Sequence, residues 1–241
     1  MNKVIYALGV GHNTSVFIDL AEACGFTIKG LYHFNDERTG EIDYGFEILG
    51  SFEDLLSKPT LKGMNFLLTM GDNKIRSELS NQIISLGGVV PSLIHPTAVI
   101  SRFAKISPIG IYISPFTYVQ ADSSIGDNTV LLSHVNISHT TDIGKSCFIA
   151  GGATIGAYTT MEDFVFVGQG ALSISAKAKH LGHHAYIGAR SLLTRSVPSN
   201  VVVAGSPARI IKDNTHPDID YINQDGNDLS IKFFEILFAR Y

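Results

Sequence analysis

The sequence lacks tryptophan, and cysteine occurs only twice, as Cys24 and Cys147. The absence of tryptophan excludes no class of protein. Two cysteines, however, cannot build the disulfide framework of a small secreted domain, so we expect a reducing, cytoplasmic compartment.

The chain also lacks an excess of basic residues and a long apolar run. Its 18 Lys and Arg residues stand against 22 Asp and Glu, which gives a net charge of −4 and no electrostatic reason to expect nucleic acid or an anionic membrane as a partner. We find no N-terminal signal pattern and no stretch of transmembrane length, and therefore expect a soluble chain. The 45% hydrophobic content supports a well-buried core in one large or two modest domains.

A repeat of six residues dominates the region from 113 to 172. An aliphatic residue returns at every sixth position: Ile113, Val119, Ile125, Leu131, Ile137, Ile143, Ile149, Ile155, Met161 and Val167. Four positions after each stands a small or β-branched residue: Thr117, Ser123, Thr129, Val135, Thr141, Cys147, Ala153, Thr159, Val165 and Ala171. This period fits neither a helix nor an alternating strand, and ten units in register argue against a β-sandwich with chance spacing.

The repeat predicts a hexapeptide β-solenoid. Each unit forms one flat face of a prism, three units close a coil, and coils stack at a spacing of about 4.8 Å. The pattern extends upstream through Ile94, Ile100 and Ile106, and resumes downstream at Leu181 after a surplus of two residues that predicts a small bulge. We expect a solenoid over residues 93–197, with five to six coils.

The residues before the repeat predict a small α/β unit. Residues 4–10 form a short β-type run that leads through a Gly-x-Gly turn into a helix over 15–24, capped by Asn13 or Thr14, and then into a strand over 27–34. This resembles half of a nucleotide-binding βαβ unit. Because Thr14 replaces the third glycine of the dinucleotide motif, a plain strand-to-helix turn is the alternative.

A further strand over residues 65–69 and a helix from 76 to 86 complete this unit. Residues 11–14, Asn35 with Asp36, and residues 71–73 would then all lie at carboxyl ends of strands. Ligands bind at that edge of open α/β sheets. At the other end of the chain, residues 229–238 have near-helical apolar spacing and predict a helix that packs on its own assembly or docks a separate partner.

Several of these features together resemble a known family. They are the Met70-Gly71-Asp72-Asn73 strand end with Arg76, the hexad array, His139 ahead of Ile143-Gly144, and the segment Ala204-Gly205-Ser206-Pro207-Ala208-Arg209. Over residues 3–211 the chain resembles the hexapeptide-repeat acyltransferases of the sialic acid O-acetyltransferase and nucleotide-sugar N-acetyltransferase type.

The resemblance implies an α/β Rossmann-like domain followed by a left-handed parallel β-helix. It also implies a homotrimer with active sites between neighbouring subunits, acetyl-CoA as co-substrate and a nucleotide sugar held by the N-terminal domain. The expected domains are residues 1–92 for the nucleotide sugar, 93–211 for acyl transfer, and 212–241 as an extension.

The family resemblance assigns the general base to His139. A histidine titrating near neutrality suits the removal of a proton from the attacking amine. His134 is the runner-up, and a solvated surface histidine is the alternative for either. Relatives often carry an acidic residue directly after the base, where this chain has Thr140. One coil further, the N–H of Ala157 is predicted to bind the thioester oxygen.

The resemblance also assigns the remaining ligand contacts. Acetyl-CoA is expected at Phe148, Gly152, Ala157, Gly168, Ile187, Gly188 and residues 205–209, although each glycine could serve only the turns of the solenoid. The nucleotide sugar is expected at Gly11, His12, Asn13, Asn35, Asp36 and Gly71. We expect no metal site, and interpret His180, His183 and His184 as a solvated cluster. Cys147 should point inward and so is not an acyl carrier.

The prediction is thus an acetyl-CoA-dependent N-acetyltransferase of a nucleotide-linked amino-deoxysugar, a precursor of a bacterial surface polysaccharide or glycan. One alternative is O-acetylation of a sialic acid or related sugar. A second, from another class, is a trimeric scaffold with a vestigial site.

Overall fold

The computed structural model describes residues 3–214, which form an α/β unit followed by a three-sided solenoid. The segment 229–238 lies outside the described residues. The elements of the α/β unit are, in order, β1 Lys3–Leu8, α1 Thr14–Ala23, β2 Phe26–His33, a 3₁₀ turn Asp36–Arg38, β3 Ile42–Asp43, β4 Phe46–Ser51, α2 Phe52–Leu56, β5 Phe66–Leu68 and α3 Asn73–Ser85.

The sheet of the α/β unit has the order β3-β4-β2-β1-β5. Strands β4, β2, β1 and β5 are parallel, whereas β3 is antiparallel to β4. The predicted strands and helices are present within two or three residues at their ends, but the sequence argument missed β3, β4 and α2 altogether. Strand β3 has only two residues and α2 only five, which is too short for a recognisable apolar period, and glycines at positions 40 and 45 flank β3.

The solenoid consists of two-residue strands that pair only in parallel with the coil before and the coil after. They are β6 Leu93–Ile94, β7 Val99–Ile100, β8 Lys105–Ile106, β9 Tyr112–Ile113, β10 Tyr118–Val119, β11 Ser124–Ile125, β12 Val130–Leu131, β13 Asn136–Ile137, β14 Asp142–Ile143, β15 Phe148–Ile149, β16 Thr154–Ile155, β17 Thr160–Met161, β18 Phe166–Val167, β19 Leu172–Ser173, β20 His180–Leu181, β21 Tyr186–Ile187 and β22 Leu192–Leu193. A hairpin of β23 Val201–Gly205 and β24 Ala208–Asp213 closes it.

These strands build three faces. The first face has the order β24-β23-β21-β18-β15-β12-β9-β6, the second β22-β19-β16-β13-β10-β7 and the third β20-β17-β14-β11-β8. Together with its structural neighbours described below, this arrangement is a left-handed parallel β-helix. The predicted inward aliphatic residues form one continuous buried column, and Cys147 lies inside it, fully buried.

Each corner of the prism turns through one residue with a positive φ angle. Such angles are unusual for residues with a side chain. They occur at Thr140 and Tyr158 in one corner, at His134 in a second, and at Asn128 and Phe164 in the third. His139 and Thr140 are exposed at the first of these corners, whereas Asn128 is buried at the third.

The two-residue surplus lies between β19 and β20. In the coils between residues 112 and 172 paired residues are 18 apart, as Asn136 is from Thr154, but Thr160 pairs with His180, which is 20 residues away. The extra residues form a turn in which Ile174 O accepts hydrogen bonds from the N–H groups of Lys177 and Ala178.

The α/β unit packs on the first face of the solenoid. Tyr112, Val130 and Phe148 point outward from that face and share a buried core with residues of β1 and α1. The Phe17 and Tyr112 rings lie 5.4 Å apart, and the Tyr112 hydroxyl accepts a 2.8 Å hydrogen bond from Leu68 N–H. Since burying one such side chain stabilises a fold by about 2 kcal/mol, this contact fixes the two parts against each other. Within residues 3–214, no helix is long and apolar enough to cross a membrane.

Candidate active site

A cleft of about 580 Å³ opens at the carboxyl ends of β1 and β5. It is lined by Gly9, Val10, Gly11, His12, Asn13, Thr14, Phe34, Phe52, Thr69, Met70, Gly71, Asp72 and Ile75. Four of the predicted acceptor residues, Gly11, His12, Asn13 and Gly71, therefore meet in one place. The sequence argument missed Phe34, which directly follows β2, and Phe52, which belongs to the unpredicted helix α2.

Asn35 and Asp36, which are also expected to bind the nucleotide sugar, do not line this cleft. The Asn35 side chain turns to His33, whose Nδ1 lies 2.8 Å from Asn35 Oδ1. Asp36 begins the 3₁₀ turn, in which its carbonyl oxygen accepts a hydrogen bond from Thr39 N–H at 3.0 Å. The pKa of Asp54 is lowered, first by the hydrogen bonds that its carboxylate receives from Ser51. Both predicted residues are thus held by local contacts beside β2 and α2.

The N-terminus of α1 is the open end of the cleft. Neither Asn13 nor Thr14 caps it as predicted: Asn13 makes no side-chain cap hydrogen bond, and Thr14 Oγ1 instead accepts from Gly11 N–H and donates to Gly9 O. Uncapped N–H groups at a helix start, together with the helix dipole, attract phosphate groups. By contrast, α3 begins with its cap in place, because Asp72 Oδ1 accepts from Lys74 and Ile75 N–H.

Arg76 connects the floor of this cleft to the solenoid. Its guanidinium is 0% exposed and has no carboxylate partner among the described residues. It donates to Met70 O at 3.1 Å, to Asn73 Oδ1 at 2.6 Å and to Asn128 O at 3.2 Å. Burial lowers its pKa to about 10, which leaves it charged at neutral pH. The loop 70–73 is thereby fastened to a corner of the solenoid.

His139 lies in the opposite part of the molecule, at the corner between the second and third faces. Its side chain is exposed, its Nδ1 lies 3.2 Å from Thr140 Oγ1, and its ring meets the edge of the Tyr158 ring at 5.2 Å between centroids. When Nδ1–H donates to the Thr140 hydroxyl, Nε2 is left as the proton acceptor. The Thr140 hydroxyl is the only side-chain hydrogen-bond partner of the His139 ring among the described residues.

Ala157 stacks on His139 one coil further along. The pairing of Asn136 with Thr154 continues through the corner, where Tyr158 N–H donates to Thr140 O at 3.1 Å. The predicted oxyanion donor is therefore beside the predicted base. Its N–H is not free, however, because it donates to Ser175 Oγ at 3.0 Å.

The other residues expected to contact acetyl-CoA are not brought together in one groove. Gly152, Gly168 and Gly188 lie along the corner between the first and second faces, away from Ala157. A Cβ on Gly168 would approach Ala189 N at 2.5 Å, so this glycine is required for coil stacking. The hairpin turn at residues 205–209 lies at the last coil.

Phe148 and Ile187, both expected at the acetyl-CoA site, have buried side chains. Phe148 is only 7% exposed and packs between the solenoid and the α/β unit, where its ring stacks on Phe166 at 5.6 Å. Ile187 points into the solenoid core, fully buried.

The other histidines have partners of their own. His134 lies against the Phe116 ring at 5.1 Å. His180 Nε2 lies 3.3 Å from Glu162 Oε1, and the ring centroids of His183 and His184 lie 4.2 Å apart. Over residues 3–214, no three His, Cys, Asp or Glu side chains come together in a way that could hold a metal ion.

Similar proteins with a named activity include acyltransferases. No family model matches the chain. A GDP-perosamine N-acetyltransferase of Escherichia coli O157:H7 is 32% identical over 197 residues, which cover 80% of this chain and 87% of that protein. The chain therefore belongs to the hexapeptide-repeat nucleotide-sugar N-acetyltransferase family, and is an enzyme.

Solved structures support the same fold. A histidine variant of perosamine N-acetyltransferase from Caulobacter crescentus, in complex with CoA and GDP-perosamine, has a TM-score of 0.79 at 24% identity and covers 88% of this chain and 98% of that one. The acetyltransferase domain of PglB from Neisseria gonorrhoeae, in complex with acetyl coenzyme A, has a TM-score of 0.78 at 26% identity, with 88% and 100% covered.

Proposed function

We propose that this protein transfers the acetyl group of acetyl-CoA to the amino group of a nucleotide-linked amino-deoxysugar, with His139 as the general base. The observation that carries the proposal is that His139 and Ala157 lie one coil apart in the same corner of the solenoid. The same chain also has a cleft at the N-terminus of α1, where a phosphate group could bind. The similar enzyme of Escherichia coli is a GDP-perosamine N-acetyltransferase, that of Caulobacter crescentus binds CoA and GDP-perosamine, and the PglB domain binds acetyl coenzyme A.

The reaction is direct. The sugar amine attacks the thioester carbonyl, and His139 Nε2 removes a proton from the amine as the C–N bond forms. The carbonyl electrons move onto oxygen, where hydrogen-bond donors at the corner stabilise the negative charge. The intermediate then expels the CoA thiolate, which takes up the proton from His139. Cys147 takes no part, because burial raises the pKa of its thiol to about 12 and places it inside the prism.

The position of His139 also supports a homotrimer. In a three-sided prism, the corner between the second and third faces lies opposite the first face, and the cleft belongs to the unit packed on the first face. This separation favours a site in which one chain supplies the base and a neighbouring copy the cleft. Exposed apolar residues of the second face, such as Val99, Tyr118 and Leu172, offer a surface for that neighbour.

The remaining expectations become part of this proposal. The α/β unit, residues 1–92, binds the nucleotide sugar, and the solenoid, residues 93–211, carries out acyl transfer. The product is a precursor of a bacterial surface polysaccharide or glycan, and the low cysteine content favours the cytoplasm. Since the chain belongs to an enzyme family, the scaffold alternative is set aside.

A thiol-release assay tests the reaction. Acetyl-CoA is offered with UDP-, dTDP- and GDP-linked amino sugars and with free sialic acid as separate acceptors. We expect release with one nucleotide amino sugar and an N-acetylated product by mass spectrometry. Thiol release with sialic acid alone would instead establish the O-acetyltransferase. The absence of thiol release with every acceptor would contradict the proposal.

A mixing experiment tests the shared site. His139→Ala lacks the base, and Gly71→Phe fills the cleft next to Asn13. Each variant alone should be inactive. If the sites form between copies, co-expressed chains regain a fraction of wild-type activity, because some sites combine an intact base with an intact cleft. Mixed oligomers without activity would show that base and cleft act within one chain.

A further inference from the structure

The bulge of the solenoid lies in the same corner as His139. Going down this corner, the residues with positive φ are Asp122, Thr140, Tyr158 and Ala176, and the surplus turn contains the last of them. Ser175 comes 18 residues after Ala157, so it stacks beneath Ala157 as Ala157 stacks beneath His139. The irregularity is therefore two coils from the proposed base, not at a remote site.

Two serine hydroxyls of this coil bind two consecutive peptide N–H groups. Gly156 N–H donates to Ser173 Oγ at 2.7 Å, and Ala157 N–H donates to Ser175 Oγ at 3.0 Å. Ser173 takes an inward position that holds an aliphatic residue in the neighbouring coils of the second face, and it is 2% exposed. The N–H groups of Gly156 and Ala157 are thus both held by hydroxyl groups of the next coil.

Ser175 and Ala157, which its hydroxyl contacts, differ in exposure to solvent. Ala157 is 3% exposed, whereas Ser175 is an exposed residue. Of these two groups, the hydroxyl therefore belongs to the residue that is open to a thioester carbonyl approaching this corner. Because Oγ already accepts from the N–H, the hydroxyl hydrogen remains available to donate, and hydrogen bonds in such chains strengthen one another.

We propose that Ser175 is a further catalytic residue, whose hydroxyl donates a hydrogen bond to the thioester oxygen and to the oxyanion formed from it. This inference rests on the proposed acetyl transfer. Ala157 N–H acts through the hydroxyl by orienting and polarising it. No proton is transferred from Ser175: it remains an O–H donor while the carbonyl electrons move onto oxygen, and it releases the oxygen when the carbonyl re-forms.

The test is Ser175→Ala, with Ser175→Thr as the variant that keeps the hydroxyl and Lys177→Ala as the control in the same exposed turn. Removing an oxyanion donor can cost a hundredfold or more in kcat. Here the substitution also uncovers Ala157 N–H as a substitute, so we expect kcat to fall about tenfold, with both KM values and the thermal midpoint unchanged. Thr should restore most of the loss, and Lys177→Ala should have no effect.

A kcat equal to or above that of the wild type in Ser175→Ala would overturn the inference, since the hydroxyl would then only cover the N–H. A rise in the KM for acetyl-CoA at unchanged kcat would overturn it as well, because it would show a role in binding alone. Hydrolysis of acetyl-CoA by water, without any acceptor, passes through the same kind of oxyanion. Its rate in the variant should fall by a similar factor, and this measurement stays informative even if no sugar in the acceptor panel reacts.

Discussion

The solenoid and the α/β unit hold their functional groups in opposite ways. In the solenoid, stability resides in the buried aliphatic column, and His139 projects from a corner with its main contacts to Thr140 and Tyr158. In the α/β unit, the loop that lines the cleft is bonded to a fully buried cation, Arg76, which also contacts the solenoid. We therefore expect that replacing His139 leaves the stability of the fold unchanged, whereas replacing Arg76 changes both the cleft and the stability of the fold.

This difference follows from how each region is built. Every coil of the solenoid repeats the same inward residues, so the side chains at its corners can vary without disturbing the core. The α/β unit has no repeat, and its parallel strands pair in an order different from their order in the chain. Its cleft is formed where loops from distant segments meet, and those loops need fixed anchors.

The largest effect is expected for His139→Ala. Loss of a general base lowers kcat by about a thousandfold, while an exposed side chain contributes little to the fold, so the thermal midpoint should remain unchanged. Steady-state kinetics and thermal unfolding measure the two quantities. His134→Ala, an exposed histidine of the neighbouring corner, is the matched control and should retain activity. A variant that loses both activity and stability would break the proposed separation.

In the α/β unit, Arg76→Met should lower both the stability of the fold and the binding of the nucleotide sugar. Removing the guanidinium leaves buried carbonyl oxygens of Met70 and Asn128 without donors, and each such loss costs about 1 to 3 kcal/mol, so we expect the free energy of unfolding to fall by about 3 kcal/mol. The KM for the nucleotide sugar should rise as well, because loop 70–73 loses its anchor. Arg76→Lys keeps the charge and some donors and should lose less. Full stability in denaturant titration would contradict the coupling.

Gly11→Ala should affect binding alone. Nothing lies within 4 Å of a Cβ at this position, and its φ angle suits any residue, so the empty cleft tolerates alanine. A phosphate at the uncapped start of α1 would meet the new methyl group, and we expect the KM for the nucleotide sugar to rise about tenfold, which corresponds to about 1.4 kcal/mol. The KM for acetyl-CoA should not change. Val16 is exposed on the same helix, and Val16→Ala is the control. If Gly11→Ala left the KM for the nucleotide sugar unchanged, the phosphates would bind elsewhere.

The same contrast explains what the sequence could predict. The hexads located nearly every solenoid strand, because each unit is specified by its own six residues, and they placed Ala157 beside His139. The hairpin of β3 and β4, helix α2 and hence Phe52 in the cleft depend on long-range packing that leaves no periodic pattern. The outward position of Phe148 in the repeat could not distinguish solvent from the interface with the α/β unit, since that contact involves β1 and α1. Ser175 was missed because it lies where the repeat breaks.

The smallest effect is a pH dependence from inside the solenoid. Burial raises the pKa of Cys147 to about 12, against 9.0 for an exposed thiol. Above pH 9 the unfolded chain loses this proton while the folded chain keeps it, so stability is complete below pH 9 and declines as the pH rises towards 12. At pH 10 the cost from this one group is about 1.4 kcal/mol.

The test is Cys147→Ala, which gives this position the residue that Ala153 and Ala171 have in other coils. Its stability should fall less between pH 7 and pH 10 than that of the wild type. Tyr112, whose pKa burial raises to about 12, and Arg76, whose lowered pKa acts with the opposite sign above pH 10, are present in both proteins and cancel in the comparison. Urea titrations of both proteins at the two pH values measure this difference. Parallel losses in the two would show that the Cys147 thiol is not sheltered from solvent, and that the interior of the solenoid is less closed than its continuous aliphatic column indicates.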